Sequence, residues 1–318
     1  MQIFFLQGLL YTQHTGRRTN MNDIIESLEK AYHNFCIRQK YFYGSIPSEF
    51  IGINLNNNLS LPYSFKRYYS ITQNISNMNI FIKTLNERNM IHAINSIDDT
   101  SHHNSIRYEI ALAHRTNENM NWLFSKLKQL LPYNININME YIKKSLSNIT
   151  ITNDNNYKNA AIFFIGFVEK KISPHMSTID TFKLYYLLRY CSSPDNIGKN
   201  FKIDNNLFFN KLKNSEITSF IKLISLIKPF IYNSKCDLWL AAIDFLSNNN
   251  MKYKIYVKGY DITIYDYLAK KFVELGEFYL SKQIVGYKEW ISRHQELEQY
   301  GLAVCVDSNS LFTVNLYH

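Results

Sequence analysis

Four times between residue 90 and residue 318 an alternating apolar–polar segment is followed by a polar turn and a second alternating segment. The pairs are 90–97 with 105–115, 160–170 with 181–190, 238–246 with 252–260, and 301–308 with 312–318. Alternation of period two marks a strand with one buried face. A short polar connection, such as SNNN at 247–250, makes the two strands antiparallel neighbours. Segments of helical periodicity lie between the hairpins, at 119–131, 139–146, 207–212, 217–231, 262–275 and 276–294. The hairpin–helix unit recurs at roughly 60 to 75 residues, the length of a supersecondary unit. Such a string builds an α+β fold in which one face of a continuous sheet lies under helices. If the sheet curls to closure, its other face becomes the inside of a barrel; a flat sheet with one solvated face is the alternative.

The second strand of each hairpin shows what that other face would carry. Arg107 and Glu109 alternate with Ile106, Tyr108, Ile110 and Leu112. Lys183, Tyr185 and Arg189 alternate with Phe182, Leu184, Tyr186 and Leu188. Lys252, Lys254 and Tyr256 alternate with Tyr253, Ile255 and Val257, and Thr313, Asn315 and Tyr317 with Phe312, Val314 and Leu316. The helices must cover the apolar set. One strand of this kind is ordinarily a wet surface, but a cation two residues before a tyrosine recurs in two of them. A lumen lined by Arg107, Lys183 and Lys254 would repel itself if empty and calls for an anion; converging cations suit a diphosphate. Tyrosine hydroxyls donate to phosphate oxygens, and tyrosine ring faces stabilise a developing carbocation.

The remaining features narrow the function classes. The net charge of +9, from 35 Lys and Arg against 26 Asp and Glu, suits an anionic partner. No basic run, RNP, zinc-finger or helix-turn-helix pattern accompanies it, so a nucleic-acid partner is not expected. Cys36, Cys191, Cys236 and Cys305 form no CxxC pair, and the adjacent His102 and His103 would point to opposite faces of a strand; no protein-built metal site is expected. No apolar run reaches bilayer length, and the opening MQIFFLQGLLYTQ lacks the basic n-region of a signal peptide. The expectation is a cytoplasmic protein with no membrane partner. A helix is expected from Met21, with Asn22 or Asp23 near its start. Residues 1–20 then read as an N-terminal extension and residues 21–318 as a single domain.

The order of the Arg107 strand, Gly166 in IFFIGFV, Lys183-x-Tyr185, Asp244 in AAIDFL and Tyr317-His318 resembles the aromatic prenyltransferases of ABBA type. In particular it resembles the peptide prenyltransferases of cyanobactin-like pathways, over residues 85–318. Lys252-x-Lys254-x-Tyr256 is similar to the cation-x-Lys-x-Tyr pattern of the related indole prenyltransferases, and Asn315-x-Tyr317 to their Gln-x-Tyr. The resemblance implies an ABBA (PT) barrel of antiparallel β-hairpins surrounded by α-helices. It implies transfer of a dimethylallyl or longer group from its diphosphate, the co-substrate, to an electron-rich side chain of a ribosomal or cyclic peptide. Arg107, Lys183, Lys252 and Lys254 would then bind diphosphate, and Tyr185, Tyr256 and Tyr317 would shield the carbocation. Mg2+ is implied as a cofactor, without the DDxxD cluster of the all-helical prenyl synthases.

Two departures accompany the resemblance. Where the family has an acidic residue on the first strand, this chain has His92, so the catalytic candidates are His92, Glu109 and Asp244. Family members also continue past the Tyr-His position with a helix and a fifth hairpin. The barrel is therefore expected to lack its last hairpin. The gap would be filled by MQIFFLQGLLYT or by a second subunit in an oligomer, or left open. The alternative function is a catalytically impaired relative that binds a peptide or an anionic ligand.

Overall fold

The computed structural model describes residues 20–45, 50–56, 63–70, 80–99, 105–146, 162–173, 176–187, 190–191, 200–201, 222–223, 225–227, 229 and 237–318. The N-terminal extension, except Asn20, lies outside these residues, as do His102, His103 and the helix expected at 207–212. Ten strands close into one antiparallel barrel. They are β1 (Ile51–Asn56), β2 (Tyr63–Ser70), β3 (Ile91–Asp99), β4 (Ser105–Leu112) and β5 (Ile162–Ser173). The other five are β6 (Met176–Leu187), β7 (Asp237–Leu246), β8 (Met251–Lys258), β9 (Gly301–Asp307) and β10 (Phe312–Tyr317). Each pairs with its neighbour in sequence, and β10 returns to β1. The helices are α1 (Met21–Tyr43), α2 (Ile80–Asn86), α3 (Asn117–Leu130), α4 (Tyr133–Leu146), α5 (Thr263–Glu274) and α6 (Phe278–Ile291). Among the described residues, no helix is long and apolar enough to cross a membrane.

All four expected hairpins form, but the expectation of a missing hairpin is corrected. The fifth hairpin is β1–β2, upstream of the other four. Gly52 lies opposite Tyr317 and Asn54 opposite Asn315, and the backbones of Ile51 and His318 exchange hydrogen bonds of 2.7 and 2.9 Å. Closure is made within this chain and removes the sheet edges that an open barrel would expose. The hairpin is hard to read because the sequence between its two strands, NNLSLP, is long and carries no compact turn signal. On β2 the outward series Tyr63, Phe65, Arg67 ends in a charge, which finds Gln39 Oε1 of α1 at 3.1 Å.

The core lies between the barrel wall and the helices. Outward residues such as Ile110, Phe167, Phe182, Ile255, Val304 and Val314 are fully buried; each contributes about 1.5–3 kcal/mol by leaving water. Helix α1 starts at a capping box in which the Asn20 amide donates to Asp23 at 2.9 Å, and ends at Gly44 in the left-handed conformation, φ 71°. Its buried face, Ile24, Leu28 and Phe35, packs on α6 and β2. Phe35 and Tyr32 stack against Phe65 there, and Trp290 of α6 donates its indole N–H to Glu29 at 2.6 Å. The helix thereby presses the closing hairpin onto the barrel.

Candidate active site

The strand register gathers the charges of the lumen into one lateral row. Asp307 (β9), Lys252 (β8), Asp244 (β7), Lys183 (β6), Gly166 (β5) and Glu109 (β4) are successive cross-strand partners. The signs alternate along the row, the favourable arrangement for side chains directly opposite each other. Lys254, one pleat along β8, donates to Asp244 Oδ2 at 2.5 Å, and Lys183 Nζ lies 3.3 Å from the same oxygen. The three side chains are 5–8% exposed. Arg107 donates to Glu109 Oε1 at 2.9 Å, and Tyr185 donates to the same oxygen at 2.5 Å. The expectation of a self-repelling lumen is therefore corrected: Asp244 and Glu109 supply internal counter-ions for the cations.

These contacts govern protonation. Burial alone would raise the Asp244 pKa, but Lys183 and Lys254 outweigh it and hold the carboxyl below its ordinary range. Glu109 is likewise held down, burial being outweighed by Arg107 and Lys183. Burial would lower the Arg107 pKa, and Glu109 beside it holds it above the usual value instead. Burial and Arg107 push Lys183 well down, opposed by Asp244. Burial pushes Tyr185, Tyr256 and Tyr317 well above the ordinary phenol value, so all three are neutral donors at any working pH. Two polar atoms here, Arg107 Nε and Asp244 Oδ1, are buried with no hydrogen-bond partner among the described residues.

Next to this row the barrel holds a cavity of about 350 Å³. Tyr185, Tyr256, Tyr317 and Tyr68 line it as a continuous arc of rings, with successive centroids 6.0, 5.8 and 6.2 Å apart. Phe50, Phe164, Leu240 and Tyr300 complete the apolar lining. Glu109 is the one charged side chain among the described lining residues. The lysines and Arg107 form a layer beside the cavity and are not part of its described lining.

Of the residues expected at a site, the fold brings together Arg107, Glu109, Lys183, Tyr185, Asp244, Lys254, Tyr256 and Tyr317. Lys252 stands half-buried between Asp244 and Asp307, on the far side of Asp244 from Lys183. His92 does not join them. It is exposed, in the stretch where the β3–β4 register skips from Ile91 to Ala93, and Asn95 is the β3 residue that reaches the cavity. Tyr68, Phe50 and Asn95 were missed. The signal for Tyr68 was the alternation of YSFKRYYS together with Gly52, which is paired with Lys66 and leaves room for the Tyr68 ring two residues on, since a Cβ at Gly52 would stand 3.1 Å from that ring.

The residues present do not fit a protein-held magnesium ion. Among the described residues no group of three or more His, Cys, Asp or Glu side chains gathers, and magnesium held with a substrate phosphate still needs one or two free carboxylates. Asp244 and Glu109, which could have formed part of one, are in contact with Lys183, Lys254 and Arg107.

No protein-family model matches the chain, and no curated protein matches it. Among solved structures it is similar to AnaPT from Neosartorya fischeri, with 10% identity over 84% of this chain and 76% of that one, at a TM-score of 0.50. It is also similar to NotF prenyltransferase, with 9% identity over 98% of each chain and a TM-score of 0.49. The 5-dimethylallyltryptophan synthase from Streptomyces coelicolor has 6% identity over 93% of each chain, at 0.47. The first of these likenesses is one of fold, and the fold of this chain is that of the ABBA-type prenyltransferases: a closed antiparallel ten-strand barrel surrounded by helices.

Proposed function

We propose that the chain is a prenyltransferase that moves a prenyl group from its diphosphate to an electron-rich aromatic acceptor. The observation that carries this reading is the arc of Tyr68, Tyr317, Tyr256 and Tyr185 beside the Arg107–Lys183–Lys254 layer, with Glu109 between them. In this reading Arg107, Lys183 and Lys254 hold the leaving group, and the unpartnered Arg107 Nε–H donates to a phosphate oxygen. The allylic C–O bond breaks and its electron pair leaves with the diphosphate. The rings face the resulting cation and keep water from it. A carbon of the acceptor forms the new C–C bond, and the proton it then sheds passes to the Glu109 carboxylate, which Tyr185 and Arg107 orient. Glu109 takes this role in preference to exposed His92 or to Asp244, which is engaged with two lysines.

The test is turnover of dimethylallyl diphosphate with tryptophan, tyrosine and peptides containing them, read by mass spectrometry. Addition of one prenyl unit is the expected result. Absence of product together with absence of binding by a non-hydrolysable donor analogue would overturn the reading. In its narrower form the acceptor is a side chain of a ribosomal or cyclic peptide, supported by the order of the strand motifs. Faster modification of peptides than of the free amino acids is the outcome that form requires.

One observation favours a second reading. Asp244 sits between Lys183 and Lys254 where a phosphate oxygen would otherwise lie, as in a barrel that binds a peptide or an anionic ligand without turning it over. Binding of the donor analogue without any product would select it.

A further inference from the structure

We propose that Asp244 is a positioning residue that keeps the Lys183 side chain an ammonium ion inside the barrel, so that the donor meets a charged partner. The argument begins with what surrounds Lys183. Its cross-strand partner on β5 is Gly166, which offers no side chain, and on β7 it is Asp244. The titratable groups that face it are Arg107 and Glu109 from β4, Asp244 from β7, Lys254 from β8 and Tyr185 on its own strand. Counted with Lys183 itself, and with Tyr185 neutral, these comprise three cations and two carboxylates. The same groups without Asp244 would place three cations beside a single carboxylate, and that one is already bonded to Arg107 at 2.9 Å.

A buried cluster of that composition relaxes by losing a proton, since burial disfavours the charged form. Arg107 cannot lose one. Of the two lysines, Lys183 is the more enclosed, 5% exposed against 8% for Lys254, and burial together with Arg107 already draws it down. A neutral Lys183 is a poor partner for a diphosphate, and donor binding would then have to take up a proton. Asp244 is suited to prevent this. It reaches Lys254 and Lys183 with one oxygen, while Oδ1 is buried and bonded to nothing described. Its side-chain contacts among the described residues are thus with charge, which fits charge balance more closely than strand architecture.

The purpose assigned to the charge rests on the proposed function, so the test reads Lys183 without any donor. Protein labelled with 13C at lysine Cε is titrated by NMR, and the Lys183 resonance is assigned by its loss in Lys183→Met. The expected result is that Asp244→Asn moves the Lys183 titration down by about 1–3 pH units, while Asp244→Glu keeps it near the wild-type position. If Asp244→Asn does not fold, the double variant Lys254→Met/Asp244→Asn removes one charge of each sign. Lys183 should still move down in it, by less, because Asp244 is the stronger of the two influences on Lys183. A Lys183 titration that is unchanged or moves up in the variant measured overturns the inference. A separate measurement, calorimetry of wild type with inorganic diphosphate, shows whether the donor reading itself fails, since that outcome leaves the lysine titration untouched.

Discussion

Tyr185 reaches across the barrel wall to donate its hydroxyl proton to Glu109 at 2.5 Å, although the two lie 76 residues apart and β5 runs between their strands. The contact ties a ring of the aromatic arc to the cavity's carboxylate and so joins the two halves of the proposed chemistry. Glu109→Gln retains an acceptor for Tyr185 but removes the charge. Turnover per folded molecule should fall about 100-fold or more, the usual worth of a positioned base. Arg107 and Lys183 hold Glu109 below the ordinary carboxylate range against burial, so the base is ionised above about pH 4 and lost only below it. A pH–rate profile that is flat down to that point is expected; an acid limb near 6.5, the ordinary imidazole value, would return the role to a histidine.

Lys254 is a structural partner as well as a donor-site residue. Removing it takes away the shorter of the two contacts to Asp244 but leaves Lys183 as counter-ion, so Lys254→Ala should lose stability by about 1.5–3 kcal/mol in addition to turnover. Urea unfolding at pH 7 measures this. Asp244 has a folded pKa below its unfolded one, so its contribution is complete above about pH 4 and disappears as pH falls through the folded value. Wild type should therefore lose stability steeply in acid below pH 4, and Lys254→Ala less steeply. Equal acid slopes for the two proteins would contradict the pairing.

Gly166 is where a single methyl group should reach the site. A Cβ there would stand 3.3 Å from Lys183 Cδ and 3.1 Å from the Tyr108 carbonyl. Gly166→Ala must push the lysine stem aside while the backbone cannot yield. The expected outcome is a KM for the prenyl donor raised several-fold, with Tm lowered by a few degrees, read by steady-state kinetics and thermal melting. An unchanged KM would show that the Lys183 stem has room to move.

His318 makes the barrel seam sensitive to pH. Its Nδ1–H donates to the Glu298 carbonyl at 3.1 Å, so Nε2 accepts from the Tyr287 hydroxyl at 2.5 Å. Burial pushes its pKa down to about 4. The unfolded imidazole titrates near 6.5, so stability is complete above that pH and is lost progressively between 6.5 and 4. The loss amounts to about 3 kcal/mol. Urea midpoints measured from pH 7 to 4 should fall accordingly, and His318→Gln should flatten the slope over that window.

The alternation read in 105–115, 181–190, 252–260 and 312–318 pointed to the strands, their pairing into hairpins and the face each turns to the helices, with bounds that the structure shifts by a few residues. These are local properties: the side-chain period is two, a polar turn joins neighbours, and an amphipathic helix must lie on the apolar face. Tyr185, Tyr256 and Tyr317 were legible for that reason, and so was the Arg107–Lys183–Lys254 set. Three matters were decided only by the closed barrel. The fifth hairpin was supplied by Ile51–Asn56 and Tyr63–Ser70, because β10 takes whichever strand presents matching hydrogen-bonding groups and a complementary face, wherever it lies in the chain. His92 fell outside the site because the closed barrel turns the face of β3 that carries Asn95 to the cavity, and His92, of opposite parity, is left exposed. The pairing of Asp244 with Lys183 as well as Lys254 depends on the register of β6 and β7, since Lys183 and Asp244, some 60 positions apart, become cross-strand partners only once that register is set. Sequence alternation determines which way a side chain points; only closure and register determine what it meets there.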